Sequence, residues 1–141
     1  MRMNTLHQIA SFVLLIALFI SLLSCSSTKS YSSQEPSMKE MYLAYVISLK
    51  TAQTLYKNKD AKFYVDFTDS ILQEGYGISQ TKVRDITELG SKNNWEEPCE
   101  GRMNMFGPCM MGIVNITMKA ERKGKFPDFS EIRALAKTLV E

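Results

Sequence analysis

The chain has 141 residues, with 17 basic and 15 acidic side chains, a formal net charge of +2 and a single histidine, His7. This length suits one compact domain rather than two. The near-neutral charge provides no strong field to attract nucleic acid or an anionic surface. We therefore expect no nucleic-acid partner.

The first 24 residues have the composition of an export signal. Arg2 provides a positive start, 9–23 is an apolar run of 15 residues, and small residues follow it. This pattern is typical of a secretory signal peptide. A transmembrane helix needs about 20 apolar residues, so the run is short for a membrane span. An uncleaved anchor and an ordinary signal peptide remain the alternatives.

The four residues that end at Cys25, Leu-Leu-Ser-Cys, resemble the cleavage site of bacterial lipoproteins, where a cysteine directly follows the cut. The resemblance implies that residues 1–24 are removed and that Cys25 becomes the acylated first residue of the mature chain. Each buried methylene contributes about 0.8 kcal/mol, so several fatty chains hold a protein on a membrane essentially permanently. Ser26 follows the cysteine, where an aspartate would favour the inner membrane. We expect an outer-membrane anchor with the protein facing the periplasm.

Cleavage changes the chemistry that the mature chain can carry. Residues 25–141 number 117 and have 16 basic and 15 acidic side chains, but they lack histidine because His7 is removed. A Ser-His-Asp or Cys-His catalytic site, a histidine-ligated zinc ion and a histidine pH switch are then excluded. We expect a protein that is not an enzyme.

Residues 25–37 comprise Cys25 and a serine-rich stretch that predicts a flexible tether. Twelve residues of such a coil span about 20 Å, enough to hold a domain just off the lipid surface. A single folded domain is expected over residues 38–141.

Three helices are predicted in the first half of this domain. Ser37-Met38-Lys39-Glu40 has the capping-box pattern, and a helix is expected from there to about Asn58. Residues 63–75 fit strand alternation or a helix, and their length favours a helix. Ser79 is predicted to cap a third helix, which Gly90 ends. The apolar face of the first helix is formed by Met38, Met41, Tyr45, Leu49, Ala52 and Tyr56.

The second half predicts a strand and a closing helix. The stretch 114–121 alternates apolar with polar residues and predicts a strand with one buried face. Asp128 begins a helix with Ile132, Leu135, Ala136 and Leu139 directed inward. The predicted fold class is α+β: three N-terminal helices, an irregular loop with one or two strands, and a C-terminal helix.

Two cysteines, Cys99 and Cys109, bracket the irregular loop. In an exported protein such a pair predicts a disulfide. Loop-closure entropy for an 11-residue ring contributes about 3 kcal/mol of stability. The methionines beside the cysteines are interpreted as fillers of irregular gaps in the core.

A soft-metal site is the alternative interpretation of this loop. Met103 and Met105 offer thioethers, and Cys99 and Cys109 offer thiolates, which suit Cu(I). A Met-x-Met pair projects both sulfurs to one side of an extended strand. We expect no cofactor beyond the lipid on Cys25, with copper as the alternative.

These expectations favour a membrane-anchored lipoprotein of the cell envelope that acts as a non-catalytic binding, structural or inhibitory module. Its partners would be the membrane, through the lipid, and an envelope protein. Periplasmic Cu(I) binding through the loop is the alternative function.

Overall fold

A computed structural model describes residues 34–141, so the predicted signal peptide, Cys25 and most of the predicted tether lie outside the described residues. Residues Pro36–Glu141 form one compact unit. Within the described residues, no helix is long and apolar enough to cross a membrane. The regular elements are α1 (Met38–Leu55), α2 (Ala61–Tyr76), α3 (Gln80–Lys92), a 3-10 turn (Glu97–Cys99), α4 (Pro108–Lys123) and α5 (Phe129–Val140).

The predicted α+β class is wrong, because residues 34–141 contain helices and no strand. The stretch 114–121, predicted as a strand, lies inside α4, which begins with Gly107 as N-cap and Pro108 at a position that favours helix starts. The side chains that α4 buries recur at helical spacing and pack in the core. Packing therefore overrides the strand preference of the β-branched residues in this segment. The buried side chains of α4 are Cys109, Ile113, Thr117 and Ala120.

The first helix begins where the sequence predicted, whereas α2 begins at Ala61, with Asp60 as an N-cap that was not predicted. Ser37 Oγ accepts a hydrogen bond from the Glu40 amide at 3.1 Å, but α1 ends at Leu55 rather than near Asn58. The helical interpretation of residues 63–75 is confirmed by α2. This helix ends at Tyr76 and is capped by Gly77, whose left-handed conformation (φ 64°) favours glycine.

α1 is the central helix and contacts each of the other four helices. It is buried on nearly all sides, rather than along the single predicted face. Leu43 and Ile47, outside that face, are fully buried, whereas Tyr45 and Leu49 within it are only partly buried. A helix that is apolar all round is typical of the interior of a bundle.

Gly90 does not end α3, which continues to Lys92. A β-carbon on Gly90 would overlap the Tyr42 ring, so the absence of a side chain lets α1 and α3 approach closely. The Tyr42 hydroxyl donates to Glu96 Oε2 at 2.9 Å, and its ring lies edge-on to Trp95 with centroids 6.2 Å apart. Tyr42 therefore connects the first half of α1 to the segment that leads into the cysteine loop.

α5 closes the bundle as predicted. Ile132 and Ala136 are buried, and Leu135 and Leu139 pack partly buried against the core. Gly112 of α4 lies against Leu135, where a β-carbon would overlap the leucine side chain. The close contact between α4 and α5 fixes which side of α4 is left facing outward.

Candidate functional site

The loop between the cysteines is ordered by hydrogen bonds around Asn104. Its side-chain amide donates to the Glu97 carbonyl at 2.8 Å, and its backbone amide donates to the Glu100 carbonyl at 3.0 Å. The Gly107 amide donates in turn to the Asn104 carbonyl at 2.9 Å. Asn104 therefore holds the backbone of the loop together, and the side chains on either side of it, Met103 and Met105, face solvent.

Cys99 and Cys109 are joined in a disulfide, with Cα atoms 5.2 Å apart, and both are fully buried in the core. The pairing links the 3-10 turn to the first turn of α4. The base of the loop is therefore fixed on both sides, while its tip projects away from the core.

The methionines of the loop tip are not core fillers, so this prediction is wrong. Met103 is 75% exposed, Met105 is 61% exposed and Phe106 is 86% exposed. Only Met110, at the start of α4, packs against the core. The disulfide ring thus carries three large apolar side chains in contact with solvent.

Further exposed apolar side chains lie on α4. Met111, Val114 and Met118 are exposed at positions i, i+3 and i+7, which lie on one side of a helix. Gly107 joins this stripe directly to the loop tip. We call the two parts together the apolar face, formed by Met103, Met105, Phe106, Met111, Val114 and Met118.

A groove runs beside the apolar face, between α1 and α4. It has a volume of about 490 Å³ and is bordered by Lys50 on α1 and by Val114 and Met118 on α4. Thr117 also lines it, with a buried hydroxyl that has no hydrogen-bond partner among the described residues. A second groove of about 260 Å³ lies at the end of α4. Glu121 lines both grooves.

Charge differs between the two ends of the apolar face. Glu97 and Glu100 lie at the base of the loop, where the 3-10 turn meets it. Arg122, Lys123 and Lys125 lie at the opposite end, in the last turn of α4 and just after it. Arg102 in the loop and Glu121 near the end of α4 each offset part of this charge, so the face is weakly acidic where α4 begins and weakly basic where α4 ends.

The four residues proposed as copper ligands do not form the site expected from the sequence. Cys99 and Cys109 offer no thiolate while they are paired, and the thioethers of Met103 and Met105 face solvent. Among residues 34–141, no group of three or more His, Cys, Asp or Glu side chains could hold a metal ion.

The carboxylates in and between the helices form contacts within the protein. Asp66 pairs with Lys62 on the surface, and Glu96 accepts from Tyr42. Asp69 lines a small cleft with Tyr45 and Arg84. Burial, with a contribution from Asp66, raises the pKa of the Asp69 carboxyl. One half-buried carboxylate beside an arginine and a tyrosine does not define a catalytic site.

The helical half of the apolar face was not predicted from the sequence, because Val114 and Met118 were assigned to the buried side of a strand. Two signals indicate the helix. Gly107-Pro108 is typical of a helix start, and Met111, Val114 and Met118 have helical spacing.

Comparison of the chain with protein-family models, curated proteins and solved structures found no match.

Proposed function

We propose that this chain is a lipid-anchored protein of the outer membrane that faces the periplasm and acts by binding a protein partner, without catalysis. Acylated Cys25 would hold it on the membrane, and the apolar face would be its binding surface. The observation that carries the proposal is the exposure of six large apolar side chains on a braced loop and an adjoining helix.

The size of the apolar face supports a binding role. With about 200 Å² for a fully exposed large side chain, its six members expose roughly 600–700 Å². The largest apolar patch on a typical monomer measures about 300–600 Å², and patches of this size often mark interaction sites. Methionine adds to this interpretation because its flexible thioether adapts to the shape of a partner.

The bracing of the loop also supports binding. The buried disulfide and the bonds of Asn104 hold the loop tip in place before any partner arrives. An ordered loop loses less conformational entropy on association, which strengthens binding. Phe106, the most exposed member of the face, is the side chain best placed to enter a pocket on a partner.

Site-specific photocrosslinking in the native envelope tests this proposal. A photoreactive residue replaces Phe106 in the full-length chain, and a matched probe replaces Ser70, an exposed residue of α2 outside the apolar face. We expect a discrete protein adduct from position 106 and none from position 70. Equal labelling from both positions, or no adduct from either, would contradict a binding role for the apolar face.

The anchor and the copper alternative are tested separately. Cys25→Ser should leave an unprocessed, unacylated precursor, and normal processing of this variant would refute the lipid anchor. Alkylation of the native protein should modify Cys99 and Cys109 only after reduction. Free thiols together with Cu(I) binding that is lost in Met103→Ala or Met105→Ala would favour metal handling instead.

A further inference from the structure

The apolar face is complementary to a second copy of itself. We propose that two copies of this chain associate through the outer side of α4, antiparallel and related by a two-fold axis beside Val114 and Asn115. This inference rests on the proposed function, because it names the occupant of the same surface.

The spacing of the α4 residues has the symmetry that such an interface needs. Met111 and Met118 lie equally far from the midpoint between Val114 and Asn115. A two-fold axis at that midpoint places Met111 of one copy opposite Met118 of the other, and Val114 opposite Asn115. A two-fold interface uses the same patch on both subunits, and an i, i+3, i+7 stripe is the spacing by which paired helices pack.

The same alignment provides a site for the loop tip. In an antiparallel pair, the loop that precedes α4 of one copy lies beside the turn that follows α4 of the other. That turn borders the second groove, about 260 Å³ in volume, which is lined in part by Tyr56, Gly124 and Phe126. This volume accommodates an aromatic side chain such as Phe106, the most exposed member of the apolar face.

Charge favours the antiparallel arrangement over the parallel one, although Arg102 and Glu121 reduce the contrast between the two ends. The acidic base of the loop, with Glu97 and Glu100, then lies near the basic end of the second copy's α4, with Arg122 and Lys123. A parallel pair would place acidic ends together and basic ends together, which is unfavourable.

The area available is close to what a stable dimer requires. The apolar face exposes roughly 600–700 Å² per copy, and a standard interface buries about 800 Å² per partner. The side chains that border the two grooves add to this area. The α4 helix of the second copy would cover the exposed residues of α4 in the first copy. The loop tip of the second copy would fill the groove at the end of that helix.

A cysteine at the two-fold axis tests the arrangement directly. Asn115 is exposed and adjoins the proposed axis, so Asn115→Cys in the full-length chain should form an intermolecular disulfide in the oxidising envelope. Met111→Cys is the matched control on the same helix, because the antiparallel register separates the two copies of this position by about 10 Å along the axis. Ser70→Cys on α2 is the control for random collisions. We expect several-fold more dimer on a non-reducing gel from Asn115→Cys than from either control.

Equal dimer yields from the three cysteine variants would overturn the proposed dimer. The photoreactive probe at position 106 gives a second measurement that needs no added cysteine, and an adduct with the chain itself at twice the monomer mass would support the dimer. Adducts with a different protein alone would overturn the dimer and leave the proposed function standing. The absence of any adduct would contradict both.

Discussion

An ion pair between the buried Glu40 and the partly exposed Arg133 provides the sharpest test of the fold. Glu40 was predicted to complete a capping box at the start of α1, yet its carboxylate is directed to other helices. Oε1 accepts hydrogen bonds from the Tyr76 hydroxyl at 3.1 Å and from Arg133 Nε at 3.2 Å. The Arg133 guanidinium also lies 5.4 Å from the centroid of the Tyr76 ring. The three residues therefore join α1, α2 and α5.

The burial of the two partners sets the expected magnitude. The Glu40 side chain is 7% exposed and that of Arg133 is 38% exposed. Removing one partner of a fully buried pair costs about 3–5 kcal/mol, whereas exposed pairs contribute about 0–1 kcal/mol. Because Arg133 is partly solvated and Tyr76 still donates to Glu40, we expect Arg133→Met to lower the free energy of unfolding by about 2 kcal/mol.

A double-mutant cycle measured by urea unfolding isolates the pair. The cycle combines Glu40→Gln with Arg133→Met, and we expect a coupling energy of about 1–2 kcal/mol. The matched control is Lys119 with Glu131, an ion pair with more exposed side chains between α4 and α5. Its coupling energy should be much smaller than that of the Glu40 pair, because solvent screens an exposed lysine. Equal coupling energies in the two cycles would refute the argument that burial strengthens the Glu40 pair.

Three further predictions concern the core and the loop. Replacing Cys99 and Cys109 together by alanine should lower the free energy of unfolding by about 3 kcal/mol in urea titrations, and a loss below about 1 kcal/mol would contradict the role of the ring. Gly90→Ala should destabilise by about 1–3 kcal/mol because of overlap with Tyr42, although helix propensity alone predicts a gain of about 1 kcal/mol; a more stable variant would show that the contact is loose. Burial, with the hydrogen bond to Glu96, raises the pKa of the Tyr42 hydroxyl, so the unfolded state loses this proton first as the pH rises. The contribution of Tyr42 to stability is fully present below about pH 10 and should fall above it by up to about 1.4 kcal/mol per pH unit. Tyr42→Phe should therefore reduce the total slope, to which the raised pKa of Tyr76 also contributes, and an unchanged slope in this variant would refute this.

Local signals located most of the helix starts. Ser37 and Ser79 cap α1 and α3 as predicted, because an N-cap depends on a side chain and an amide only three residues apart. The disulfide was also predictable, since two cysteines that follow a predicted export signal are expected to pair with little knowledge of the fold. These features depend on residues close in sequence or on the cellular compartment.

The errors occurred where distant residues decide the outcome. Gly90 suggested a helix end, but its role depends on the Tyr42 ring from another helix. Glu40 fitted a local capping pattern, but its partners, Tyr76 and Arg133, come from 36 and 93 residues away. Sequence periodicity cannot identify such partners, because it reports only which side chains share a face.

The sequence by itself determined the export signal pattern, the loss of the only histidine if residues 1–24 are removed, and the disulfide loop. Only the tertiary structure decided that 114–121 is helical and that Val114 and Met118 face outward. The physical reason is that α4 buries Cys109, Ile113 and Thr117 in the core, while Gly112 lies against α5. Those contacts fix the rotation of the helix, and this rotation creates the apolar face.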